Sequence, residues 1–318
     1  MGPVIKNRQR FRWNSTFMSD PDMPTITARF PPTALYRCFQ LGIPALCLAG
    51  VAGPATAQQR MDGGTTLTVS SRVPGIEITR LAALPNAPLS ASTRQDCGTL
   101  DQPKSDGGKV ANALGWGVTG EARLGAYDVV SFAGKFEAST SGSCDISAGN
   151  VALFQGHQLV AIIYASSHSR QSIGNIRSID DKLRILDGDL IPMPVGDLQL
   201  AIDHAIEVDL LPDADPICNG QGAAPNLYGK SIRQARKTLM TQRWSPVKSS
   251  PSDPFAKHLQ ERGIVEANDC AGTGFAFCGY YYRKGNMELS LTTFGDGDAP
   301  TVADYAAVCE RARWHRSN

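Results

Sequence analysis

The sequence predicts an exported, disulfide-stapled α+β protein, in which a β-rich region precedes a smaller region of helices and an antiparallel hairpin. Three observations lead to this prediction: an apolar leader, six cysteines after it, and a change to helical patterning near residue 225. The 318-residue chain is 42% hydrophobic and 19% charged, a composition that excludes a disordered or collagen-like protein.

Residues 1–57 have the features of a secretory signal peptide. An uncharged apolar run spans residues 38–53, basic residues precede it, and Ala55-Thr56-Ala57 follows as a cleavage site. A membrane-spanning helix needs about 20 apolar residues, whereas this run is shorter and contains Pro44. We therefore expect cleavage after Ala57, a periplasmic or secreted location, and no membrane span in the mature chain.

The stretch before the basic residues is long for a signal peptide, so Met18 or Met23 is a candidate for the true start. Cleavage after Ala57 leaves 261 residues with 25 basic and 28 acidic side chains, a net charge of −3. A mildly acidic chain has no electrostatic basis for binding nucleic acid, and we expect no nucleic-acid partner.

The mature chain keeps an even number of cysteines, which in an exported protein indicates disulfides. Six cysteines allow 15 connectivities. Their positions favour one bridge in the β-rich region, one local staple and one bridge between the ends of the C-terminal region. The expected pairs are Cys97–Cys144, Cys270–Cys278 and Cys218–Cys309.

The first half of the mature chain is predicted to be mostly β. Residues 58–96, rich in Ser, Thr, Ala and Pro, are expected to form an extended linker with short strands at 65–69 and 76–81. Residues 97–212 are expected to form a β-rich domain. Within it, residues 127–132 predict a strand and residues 150–164 a hairpin, while 198–211 fit either an amphipathic helix or two strands.

Residues 213–224 are rich in Pro, Gly and Asp and predict a linker before an α+β domain at 225–318. Ser231 with Gln234 predicts a capping box, and Asp253-Pro254 predicts the start of a second helix. A hairpin is expected to pair residues 275–283 with 287–294, and Thr301 is expected to cap a last helix.

Two glycine motifs resemble nucleotide-binding loops but lack their structural setting. Gly115-Trp116-Gly117-Val118-Thr119-Gly120 matches G-x-G-x-x-G, yet strand-like residues follow it where a dinucleotide site needs a helix. Gly229-Lys230-Ser231 follows Pro225, which removes a backbone donor from any phosphate cradle, and is interpreted as a helix entry. We therefore expect no cofactor.

The sequence offers no catalytic or metal-binding constellation. The five histidines have no zinc-like spacing and there is no G-x-S-x-G elbow. A triad assembled from distant positions stays open, since triads are recognised by geometry. Three acidic pairs, at 187–189, 213–215 and 296–298, lack the further ligands of a calcium loop and are interpreted as solvated turns.

Residues 225–247 resemble the opening of PASTA modules. The similarity lies in Pro225-Asn226-Leu227-Tyr228-Gly229-Lys230-Ser231, followed by Ala235 and Leu239. PASTA modules are small extracytoplasmic domains implicated in binding peptidoglycan fragments, so the resemblance implies a fold fragment and a cell-envelope setting. The second helix and the Cys270/Cys278 pair depart from that family, and no binding residue is carried over.

Aromatic residues on the C-terminal hairpin give the candidate binding site. Alternation along a strand places Tyr280 and Tyr282 with Cys278 on one face, and Phe275, Phe277 and Tyr281 on the other. One face must be core, and the second is a candidate binding patch, with Arg283 suited to an anionic partner.

The sequence supports a non-enzymatic binding or inhibitory protein of the cell envelope. Its partner would be an envelope or extracellular protein or a cell-wall ligand. Two alternatives stay open: a secreted hydrolase with a dispersed catalytic site, and a purely structural envelope protein, for which we expect no concave site.

Overall fold

The computed structural model describes residues 67–94, 97–100, 102–139, 143–202, 204–272 and 274–309, all within one compact unit. The predicted signal peptide and the first part of the predicted linker lie outside the described residues. In chain order the strands are β1 (Val69–Ser71), β2 (Ile76–Thr79), β3 (Gly117–Leu124), β4 (Tyr127–Ala138), β5 (Cys144–Gln155), β6 (Gln158–Ala165), β7 (Asn175–Ile179), β8 (Lys182–Leu186), β9 (Pro194–Leu200), β10 (Ile206–Asp209), β11 (Ala214–Ile217), β12 (Gly222–Pro225), β13 (Ser245–Pro246), β14 (Ala267–Asn268), β15 (Cys278–Lys284), β16 (Met287–Phe294) and β17 (Thr301–Val308). The helices are α1 (Asp106–Ala113), α2 (Ile232–Thr241) and α3 (Pro254–Glu261), with a 3₁₀ turn at Leu89–Ser92.

Two five-stranded sheets form the N-terminal half. The first sheet has the order β2-β6-β5-β4-β3, and the second has the order β1-β10-β9-β8-β7. One apolar core contains buried residues of both sheets, among them Val151 and Ile163 from the first and Ile185 and Leu198 from the second. The two sheets therefore pack face to face as a sandwich.

The outer face of the first sheet is also buried. Successive residues of β4 alternate between the two cores: Val129 faces the second sheet, and Val130 packs in a separate cluster with Trp116 of the α1–β3 connection and Phe154. Helix α1 covers this face, and a Cβ at Gly107 would lie 2.4 Å from the Phe154 ring, so only glycine fits there. Because both faces of the first sheet are covered, its strands contain continuous runs of apolar residues.

The third sheet has the order β13-β15-β16-β17, with β14 also paired to β15. One face carries Tyr280, Tyr282 and Leu289, and it packs in a core with Ile232 and Leu239 of α2 and Leu259 of α3. Ser231 caps α2 with a complete capping box and Asp253 caps α3, as predicted. This arrangement confirms α+β character, and the short β11–β12 hairpin lies before it in the chain.

The structure contains the three predicted disulfides, Cys97–Cys144, Cys218–Cys309 and Cys270–Cys278. It also resolves the ambiguity at 198–211, where β9 and β10 form two antiparallel strands. The division into separate domains at 97–212 and 225–318 stays a prediction.

Two local predictions were wrong. The expected helix after Thr301 is strand β17, which pairs along β16 with a bulge near Val302. The hairpin strand starts at Cys278 instead of residue 275, because Ala276 has a φ of 51°, outside extended geometry. Within the predicted linker, the 3₁₀ turn has a fully buried residue, Ala91.

Candidate functional site

A cleft of about 570 Å³ lies where three parts of the chain meet. Strands β7 and β8 of the second sheet form one side, β17 of the third sheet forms another, and the β11–β12 hairpin closes one end. We call this the interstrand cleft. The Cys218–Cys309 disulfide lies in its lining and joins the hairpin to the residue after β17.

The base of the interstrand cleft is a buried ionic network centred on Arg184. Arg184 lies on β8 directly opposite Asp197 on β9, and alternation turns both away from the sandwich core. Asp215 of β11 covers them from the hairpin. The side chains of Arg184 and Asp197 are 2% and 1% exposed.

Arg184 is bound by both carboxylates in bidentate fashion. Its Nε and one Nη donate to Asp197 at 2.8 and 3.0 Å, and its two Nη atoms donate to Asp215 at 2.8 and 2.7 Å. Lys182 Nζ lies 3.7 Å from Asp197 and balances the second negative charge. Since four of its five N–H donors bind these two carboxylates, Arg184 serves mainly to hold the base of the cleft together.

Two tyrosines with mutually tilted rings pack against this network. The rings of Tyr228 and Tyr305 lie 4.6 Å apart, and the Arg184 guanidinium carbon is 5.7 Å from the Tyr228 ring centre. The Tyr305 hydroxyl donates to Asp215 at 2.9 Å and the Tyr228 hydroxyl donates to Asp304 at 3.2 Å. These bonds fix both rings in the cleft wall.

The electrostatics of the base favour fixed charges over proton transfer. Burial alone would lower the pKa of Arg184, but its hydrogen bonds to Asp215 and Asp197 hold that pKa above its ordinary value. Burial would likewise raise the pKa of Asp215, and Arg184 reverses this and lowers it. Burial raises the pKa of Tyr228 to about 12 and also raises that of Tyr305. Asp215 and the two tyrosines therefore keep one protonation state near neutral pH, which suits none of them to acid–base catalysis.

The rim of the interstrand cleft is polar and accessible. Arg177 of β7 donates to Asp304 of β17 at 2.8 Å, and both side chains are more than 40% exposed. The consecutive residues 177–179 of β7 and 304–307 of β17 all line the cleft. Side chains alternate along a strand, so consecutive lining residues mean that each strand presents its main-chain edge.

The structure places the four residues of the predicted aromatic site in two pairs. Tyr281 and Arg283 share the face of the third sheet opposite its core, and Arg283 lies 3.3 Å from Glu288. Phe275 and Phe277 precede the strand, with their rings 5.8 Å apart. None of the four lines the interstrand cleft, and their role in binding stays a prediction.

Little in the sequence indicates the interstrand cleft. The pattern Asp213-Ala214-Asp215 predicts a solvated turn, yet Asp215 is buried on β11. A signal in the sequence is Arg184 between the apolar residues Leu183 and Ile185, since a charge at a buried position needs partners. In the described part of the chain, no three His, Cys, Asp or Glu side chains are grouped to hold a metal ion.

Comparisons of the chain with protein-family models, with curated proteins and with solved structures found no match. Among the residues that the structure describes, no helix is long and apolar enough to cross a membrane.

Proposed function

We propose that the mature chain is an exported, non-enzymatic binding or inhibitory protein of the cell envelope, and that the interstrand cleft is its binding site. The observation that carries the proposal is the pair of strand edges, β7 and β17, that face one cleft. Unpaired strand edges bind extended polypeptide by adding a strand, with main-chain hydrogen bonds giving affinity. The ligand class that suits this cleft is an extended segment of another protein.

The chemistry of the cleft supports binding over hydrolysis. Ser178 lines it, but its described lining contains no histidine that could activate a serine. The Arg184 network makes the base rigid, so a ligand would lose little affinity to ordering of the site. A purely structural protein would not need such a concave site.

The export and envelope setting is supported by the predicted signal peptide and by three disulfides. Disulfides persist in oxidising compartments and are rare in the cytosol. The location is therefore proposed as periplasmic or secreted.

The proposal is tested by blocking the cleft with one side chain. Ala306 is exposed and lines the cleft, whereas Val308, 52% exposed on the same strand, does not line it. Peptides selected from a random displayed library on the wild-type mature protein should lose binding to Ala306→Arg. The matched control, Val308→Arg, should bind them as wild type does.

Thermal melts of both variants check that each is folded. Selected peptides that bind Ala306→Arg as tightly as wild type would overturn the assignment of the cleft. Failure of a diverse library to yield any specific peptide would count against peptide as the ligand class.

A further inference from the structure

A second cavity, of about 400 Å³, lies against the outer face of α2 and the end of α3. Its charged lining residues are Arg233, Arg236, Lys237 and Arg262, and none of the acidic residues in the described part of the chain lines it. We call it the basic groove. It shares no lining residue with the interstrand cleft.

Helix α2 carries several positive charges and no negative charge of its own. Arg233, Arg236 and Lys237 are spaced i, i+3 and i+4, so they neighbour one another on the helix surface. The helix contains no acidic residue. Like charges at this spacing destabilise a helix, and a bound anion would relieve that repulsion.

A hydrogen bond to a neighbouring residue holds each arginine of the groove in place. Arg236 Nε donates to Glu266 at 2.9 Å, and Glu266 is fully buried. Arg233 Nε donates to the carbonyl of Asp298 at 3.1 Å, and Arg262 Nη1 donates to the Asp298 carboxylate. Each contact uses one nitrogen of a guanidinium and leaves its other donors for a ligand, an arrangement that lowers the ordering cost of binding.

The charge balance of the groove leaves an excess of positive charge. Four cations face two carboxylates, Glu266 and Asp298, and His258 also lies 3.5 Å from Asp298. Lys237 has no ion-pair partner among the described residues. At the edge of the groove Met240 is 50% exposed and offers apolar contact to whatever is attached to the anion.

We propose that the basic groove binds a phosphate group, carried by a small phosphate compound or by the headgroup of an anionic lipid. Arginine forks match phosphate oxygens in bidentate fashion, and lysine adds a point charge. This site does not depend on the proposed peptide cleft, because the two share no residue.

The test uses two probes on the oxidised mature protein at physiological ionic strength. Calorimetry with pyrophosphate measures binding of a small phosphate compound. Co-sedimentation with phosphatidylcholine vesicles, with and without phosphatidylglycerol, measures binding of an anionic headgroup. The double variant Arg233→Gln/Lys237→Gln should weaken the observed binding by at least about tenfold, since it removes two charged donors and hydrogen bonds to charged groups are stronger than neutral ones.

The matched control removes the same charge elsewhere. Lys104 and Arg170 are exposed and lie far from α2 in sequence, so Lys104→Gln/Arg170→Gln should bind as wild type does. Binding of pyrophosphate would identify a small phosphate compound, and binding of phosphatidylglycerol vesicles alone would identify a headgroup. Wild-type protein that binds neither probe, or an equal loss in both double variants, would overturn the proposal.

Discussion

Arg184 is the residue on which the base of the interstrand cleft depends. It is almost fully buried, yet it binds two carboxylates from separate elements. A buried ion pair contributes little net stability against an apolar replacement, but removal of one partner leaves an uncompensated buried charge. The consequence of losing Arg184 is therefore expected to exceed that of losing an exposed arginine.

We predict that Arg184→Met lowers the free energy of unfolding by about 3–5 kcal/mol, because Asp197 and Asp215 would be buried without their cation. Urea denaturation at neutral pH measures the loss. The control Arg177→Met removes an exposed arginine of the same cleft and should cost about 1 kcal/mol or less. Similar losses in the two variants would contradict a structural role for Arg184.

The same variant should change the sign of the pH response. In the wild type the pKa of Asp215 is lowered, so its stabilisation is present above the unfolded value of 3.8 and lost as pH falls through the folded value. Without Arg184, burial dominates, and protonating Asp215 should stabilise the fold. Denaturation midpoints of Arg184→Met should rise as pH is lowered from neutral towards 5.

Asp187 lies in the turn after β8 and gives a separate prediction. Burial raises its pKa from 3.8 to about 6, although the Met193 amide donates to it at 2.9 Å. A raised folded pKa means that stability is fully present below 3.8 and is lost as pH rises through about 6. Asp187→Asn keeps the carbonyl acceptor and should melt higher than wild type at pH 7, with the two converging near pH 4. The exposed control Asp181→Asn should follow the wild-type profile.

At the scale of elements, the helix starts could be predicted from the sequence, whereas the pairing of the strands could not. The starts of α2 and α3 follow from Ser231 and Asp253, because a cap needs only residues within one turn. Strand β17 was predicted as a helix since Val302, Tyr305, Ala306 and Cys309 fit helical spacing. Its antiparallel pairing with β16, which residue spacing within the segment does not reveal, decided the outcome.

The capping box of α2 gives a prediction at this scale. Ser231 Oγ accepts from the Gln234 amide, and Gln234 Oε1 accepts from the Ser231 amide at 3.0 Å. Ser231→Ala should cost about 1 kcal/mol, the ordinary contribution of a helix cap. Urea denaturation measures it, with the exposed Ser250→Ala as control. Equal midpoints for the two variants would contradict the cap's contribution.

At the scale of the whole molecule, cysteine positions predicted the bridges but not the cleft. The pairs followed from assigning each cysteine to a region and from the glycines between Cys270 and Cys278. The cleft could not be predicted, because its base brings together Arg184, Asp215 and Tyr305 from segments far apart in the chain. Such proximity depends on tertiary packing, and no local pattern records it.

Two of the three bridges should differ clearly in their effect on stability. Cys218–Cys309 spans 91 residues and Cys270–Cys278 spans 8. In the chain-entropy model, removing the long bridge costs about 4–5 kcal/mol and the short one about 2 kcal/mol less. Urea denaturation of the two double Cys→Ala variants compares them. A larger loss from the short bridge would contradict the model for this chain.

The Cys218–Cys309 bridge also determines in which cellular compartment the interstrand cleft is complete. One of its walls, the β11–β12 hairpin, is tied to the residue after β17 by this covalent bond. Under the proposed export, the bond forms only after the chain has left the reducing cytosol. In the cytosol the binding site of the precursor would therefore be incomplete, and oxidation after export would complete it.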